Sequence, residues 1–122
     1  MVGVACGGPA AQAAAAAAVQ PDFSAVEMKL CGVFVKQYWL QRDGEHDAIA
    51  QHRHDSDHVT AVAVGSVEVW CDGVDLGLRH APALVAIPAG SRHHFRAVTP
   101  QALLYCIHQL DEGQDQPSYE RV

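Results

Sequence analysis

From position 26 onward the chain mixes apolar and polar residues in short runs, and before that point it does not. The runs fall at 26–39, 48–54, 59–64, 67–71, 84–87, 93–98 and 103–110, rich in valine and aromatic residues. That texture predicts β-strands, because a half-buried strand alternates its faces with a period of two. Asp43-Gly44 and Asp72-Gly73 are hairpin-type dipeptides, and Gly65-Ser66 and Pro88-Ala89-Gly90 mark further turns. Seven or eight short strands at this spacing predict an all-β, antiparallel double-sheet barrel, and no strand–helix alternation supports a parallel sheet. Residues 1–22 read differently: Gly7-Gly8-Pro9 precedes an alanine run from Ala13 to Ala18. Alanine favours helix, but a run this short has nothing to pack against, so a flexible or short helical Ala-rich N-terminal tail is expected. The expected division is a tail at 1–22, a β-barrel at 23–112 and a C-terminal tail at 113–122.

Composition narrows the function classes. A chain of 122 residues with 49% hydrophobic content can build one ordinary core. No apolar run approaches the roughly 20 residues that span a bilayer, so no membrane role is expected. A formal charge of −6 without a basic cluster argues against nucleic acid, whose binding rests on neutralising phosphates. Cys6, Cys31, Cys71 and Cys106 include no C-x-x-C pair, which speaks against a thiolate zinc site and a disulfide framework. Reduced thiols in a cytoplasm are the expectation; the first cation is Lys29, which makes the amino-terminal segment a poor signal peptide. One oddity remains: the 8 histidines equal the lysines and arginines combined.

The histidines cluster in His52-Arg53-His54-Asp55-Ser56-Asp57-His58. On an extended backbone His52, His54 and His58 share parity, whereas Arg53, Asp55 and Asp57 project the other way. Three imidazoles converging from one stretch can bind a divalent metal. A fourth candidate, His93, starts the strand after the turn at Pro88-Ala89-Gly90. By the same parity His94 points away from the site. Asp55 and Asp57 are expected as solvated loop acids. His46, His80 and His108 have no spacing argument and default to the surface or rim, with burial the alternative for His108 in its apolar strand.

These residues resemble the two motifs of the cupins, H-x-H-x(3,4)-E-x(6)-G and P-x-G-x-x-H. His52-x-His54-x(3)-His58-x(6)-Gly65 fits the first spacing, with histidine in place of glutamate, and Pro88-x-Gly90-x-x-His93 fits the second. The resemblance covers roughly 26–110. Its common flanking residues are absent: His46 and Pro82 stand where glycines are usual, and Ala97 where an asparagine is usual. It implies a small jelly-roll barrel that holds one divalent transition metal ion (Fe, Mn, Ni or Zn) through His52, His54, His58 and His93. It also implies a homodimer, and the exposed-type apolar residues of 26–40 fit an edge that needs covering.

Alternation from His58 places Thr60, Val62 and Val64 in the pocket, and from His93 it places Phe95 there. The last strand offers either Tyr105 with Ile107 or Cys106 with His108; a phenol that can face the metal favours Tyr105. Arg92 and Arg96 belong outside. Four neutral ligands leave the ion its full charge, so a small chelating anionic or enolisable compound is the expected ligand. A dioxygenase-like cleavage is the leading reaction, and a non-enzymatic metal- or small-molecule-binding module or a metal-dependent isomerase are the alternatives.

Overall fold

Cys31 and Gly32 both take positive φ, 51° and 77°, and the long strand expected over 26–39 folds back on itself there. Glycine adopts this region freely, so a tight reversal costs little at Gly32. In this computed structural model, residues 27–122 are described; the Ala-rich tail and Cys6 lie outside them. The reversal separates β1 (Glu27–Leu30) from β2 (Val33–Gln41). There follow β3 (Ala48–Arg53), β4 (His58–Val64), β5 (Ser66–Cys71), β6 (Val74–His80), β7 (Ala83–Ile87), β8 (His93–Ala97), β9 (Gln101–Gln109) and β10 (Glu120–Arg121). No helix among the described residues is long and apolar enough to cross a membrane.

The strands form two five-stranded antiparallel sheets, ordered β1-β2-β9-β4-β7 and β10-β3-β8-β5-β6. Their inner faces follow the predicted alternation except at Val64, expected in the pocket but 51% exposed, because the β4–β9 register slips between Val62 and Val64. Phe34 and Leu40 face inward from β2, Thr60 and Val62 from β4, Phe95 and Ala97 from β8, and Ala102 and Leu104 from β9. Two such faces interdigitate into a core about 10 Å thick. The apolar core, built around Leu40, Val62, Val69, Ile87, Phe95 and Leu104, fills part of the interior. The rest is lined by buried histidines.

Two elements depart from the sequence expectation. β6 runs through Asp75, Gly77 and Arg79 and pairs only with β5 at the sheet edge. An edge strand wetted on both faces shows no clean alternation, and its pattern is mostly exposed. β10, within the segment read as a tail, pairs with β3 through Glu120↔Arg53 and Arg121↔His52.

Candidate metal centre

Four positions singled out by spacing meet in one place. His52 lies opposite His93 in the β3–β8 ladder, and the register of that pair slips between Ile49 and His52. The slip lets two residues of odd spacing both face inward, and both are buried. His54 follows the end of β3, and His58 opens β4 after a short loop. Two bonds tie this loop to the Pro88–Gly90 turn: Ala89 N–H donates to Asp57 Oδ1 at 2.7 Å, and Gly90 N–H donates to the His54 carbonyl at 2.8 Å. Asp57 is therefore exposed yet structural, beyond the solvated role expected of it.

A fifth histidine joins them. His108 on β9 sits directly opposite His58 in the β4–β9 ladder. Its ring stacks on His58 with centroids 4.3 Å apart and stands 4.6 Å from His54. The cluster divides into two triads that share His54: His52, His54 and His93, and His54, His58 and His108. Within each triad the candidate ligand atoms lie within 4.8 Å of one another, and every member is buried. Ligand nitrogens about 2.1 Å from an ion stand roughly 3–4 Å apart, so modest side-chain rotation closes either triad on a cation.

The hydrogen bonds prepare the rings for that role. His52 Nδ1–H donates to the Ala50 carbonyl at 2.7 Å and His93 Nδ1–H to the Ser91 carbonyl at 2.9 Å, while His54 Nδ1–H donates to the Ser118 carbonyl. A carbonyl only accepts, so each Nδ1 carries the proton and each Nε2 presents a bare lone pair. Both nitrogens of His58, Nε2 of His93 and Nδ1 of His108 are buried without a protein partner. Buried polar atoms left unpaired are costly and rare, and a donor set of this kind fits a divalent transition ion.

Burial also keeps the rings neutral. It pushes His52 down to about 4, helped by the neighbouring imidazoles and Lys36 and opposed by the Ala50 carbonyl. His108 is lowered to about 4 and His58 to about 2, again by burial first and then by the surrounding histidines. His54 and His93 are lowered by burial as well. In the unfolded chain these rings take a proton near 6.5, so between 6.5 and 4 the unfolded state binds more protons than the folded one. Stability therefore falls as pH falls through that window and is level above it. The melting temperature of EDTA-treated protein should drop steadily from pH 6.5 to 4.5 and hold constant from 7 to 8; an equal melting temperature at 4.5 and 7 would contradict neutral buried rings.

The other predicted positions divide. Thr60 and Phe95 are fully buried; Thr60 Oγ1 contacts Cys106 Sγ at 3.4 Å, and the Phe95 ring centroid lies 6.3 Å from that of His93. Val62 packs in the apolar core. Tyr105 is corrected: the inward residues of β9 are Cys106 and His108, whereas Tyr105 shares its face with Ile107, which is 38% exposed. Both faces of β9 are apolar because the outer side of its sheet also exposes Val59 and Leu84, so hydrophobicity could not choose the parity. His94 stacks on Trp70 at 4.5 Å, and His80 Nδ1 is within 2.7 Å of Ser66 Oγ.

A cavity of about 400 Å³ opens onto the cluster, lined by Lys36, Tyr38, His52, His54, His108 and Tyr119 among others. Its roof is the C-terminal strap: Tyr119 stacks on His52 at 4.9 Å, and Ser118 Oγ accepts the Asp55 N–H at 2.7 Å. A larger groove of about 590 Å³ reaches His58 and His108 from the outer side, past Val33, Val59 and Ile107.

No family model matches the chain, and no curated protein matches it. Solved structures do. A cupin 2 domain-containing protein from Halorhodospira halophila aligns at TM-score 0.61 and 21% identity over 77% of this chain, which spans 60% of that protein's length. A variant of the oxalate decarboxylase from Bacillus subtilis aligns at TM-score 0.63 and 8% identity, over 75% of this chain and 24% of its own. KdgF from a Halomonas species aligns at TM-score 0.59 and 16% identity, over 70% of this chain and 76% of its own. The chain has the cupin fold, an all-β barrel of two antiparallel sheets, and its histidine cluster is compatible with a metal ion.

Proposed function

We propose that this chain is a metal-dependent cupin that holds one divalent transition ion through His52, His54, His58 and His93. The observation that carries this reading is the set of buried nitrogens without protein partners on His58, His93 and His108, in two triads whose candidate ligand atoms lie within 4.8 Å of one another. The ligand is a small chelating anionic or enolisable compound that enters the cavity above His52 and His54. A bound redox-active ion supplies Lewis acidity and an electron path, and a dioxygenase-like cleavage is the reaction that uses both. The chain's own contribution is to fix the rings through the Ala50, Ser91 and Ser118 carbonyls, to keep them neutral by burial, and to roof the cavity with Tyr119. That an oxalate decarboxylase shares the fold supports a small oxygen-rich ligand.

A second reading has one observation in its favour. With His108, which shares a triad with His54 and His58, as a fifth ligand, one position would stay open on an octahedral ion, which suits a metal- or small-molecule-binding module better than chemistry needing two. Two copies are proposed to pair through β1 and the adjoining outer face, where Met28 and Leu30 stand 62% and 65% exposed. Plasma mass spectrometry on tag-free protein tests the assignment. One equivalent of iron, manganese or nickel per chain, with substrate-dependent oxygen uptake, is the expected result; stoichiometric zinc closed by four protein ligands would sink the enzyme.

A further inference from the structure

Lys36 stands on the inward face of β2. Phe34, Lys36, Tyr38 and Leu40 share parity, Phe34 and Leu40 are buried in the barrel, and Lys36 pairs with Cys106, which is itself interior. A lysine in a strand normally turns outward, because its ammonium is expensive to take from water. Here the side chain is only 28% exposed and lines the same cavity as His52, His54 and His108. It lies one inward step, about 7 Å along the strand, from the level where Phe34 meets His108.

The ammonium has few partners. Glu27 Oε2 approaches to 3.5 Å, and the Tyr38 ring centroid lies 5.2 Å away. Glu27 sits on the exposed edge strand β1 with its side chain 39% exposed. The pair therefore resembles a cation with a detachable carboxylate placeholder rather than a closed structural bridge, since half-exposed pairs contribute little. The cluster below Lys36 contains only neutral rings, so neither triad brings a negative charge to balance it.

We infer that Lys36 is the anchor of a ligand-binding site in this cavity, and that the ligand is a small carboxylate whose charged group displaces Glu27 from Lys36 while its other end faces the histidine cluster. Tyr119 covers the ligand from the strap, and Tyr38 forms the wall beside the ammonium. The inference deepens the function proposed above and depends on it only for the far end of the ligand; the Lys36 contact exists with or without an ion. A site that pairs a fixed cation with an ion-binding centre favours small two-headed acids.

Calorimetric titration of the tag-free full chain with oxalate, malonate and pyruvate, each against its uncharged amide, tests this, run on protein as purified and after EDTA treatment. At least one acid should bind, with its amide at least tenfold weaker. Lys36→Met should weaken the acid at least tenfold without changing metal content, Lys36→Arg should restore most of the affinity, and Glu27→Gln should tighten it by removing the competing carboxylate. Acid and amide binding equally, no acid binding at all, or Lys36→Met and Glu27→Gln both matching the parent would overturn the proposal. A Lys36-dependent acid in a chain that never holds metal would sustain Lys36 and remove the metal function; a metal-loaded chain indifferent to Lys36 would do the reverse.

Discussion

Replacing His54 by alanine is expected to lower metal affinity by at least about 100-fold, more than any other single histidine change, because both triads need it. Loss of a group that only orients a ligand already costs about 10–100-fold, so loss of a shared ligand must exceed that range. Every other histidine of the cluster belongs to one triad and leaves the second complete. His94→Ala is the matched control, since that ring stacks on Trp70 outside the cluster and should leave metal content unchanged. Competition against a chromophoric chelator, with circular dichroism to confirm folding, measures both. A His54→Ala protein that retained its ion while His52→Ala lost it would move the centre away from the shared ring. The substitution also frees the Ser118 carbonyl and should loosen the strap.

Gly65→Ala is expected to destabilise the fold by about 3 kcal/mol, lowering the melting temperature by roughly 10–20 °C. Gly65 links β4 to β5 at φ 78°, where a side chain is strained. A methyl there would collide with the Gln101 carbonyl oxygen, stand 2.5 Å from Thr99 Oγ1 and 3.1 Å from Ala102 Cα. Backbone cannot retreat as a flexible side chain can, and these atoms are themselves committed: Thr99 Oγ1 donates to the Gln101 carbonyl at 2.7 Å and accepts the Ser66 N–H at 2.9 Å. The Gly65 carbonyl also accepts the Ala81 N–H at 2.9 Å. The position thus locks three turns at one end of the barrel. Calorimetry of the variant would show the shift; a melting temperature within two or three degrees of the parent would mean that the junction can relax.

The same glycine illustrates what was readable in advance. Its spacing from His58, and that of His93 from Pro88, are facts of local sequence, and the structure brings those segments together. His108 had no such local signature. It reaches the cluster only because β9 pairs with β4 in the register that sets it against His58, and register between strands some 50 positions apart is a tertiary fact. The one available signal was a histidine within an apolar alternating run, and it was weakened by the apolar outer face that made Tyr105 look equally inward. Lys36 was hidden by the opposite prejudice, that a strand lysine marks the solvent side. β6 and β10 escaped because edge strands owe their existence to a neighbour more than to their own pattern.

The bond between His54 and Ser118 has a thermodynamic consequence. Residues 118–121 are held to the barrel by that imidazole, by the Asp55 N–H and by two residue pairs with β3. Any ion that fixes the His54 ring also favours the docked strap, and by reciprocity the docked strap raises that ion's affinity by the same factor. A ligand that has to lift Tyr119 to enter works against the ion, whereas one that fits beneath Tyr119 works with it. Two compounds of equal charge and chelating power would thus be sorted by the sign of their coupling to the strap, before any chemistry begins.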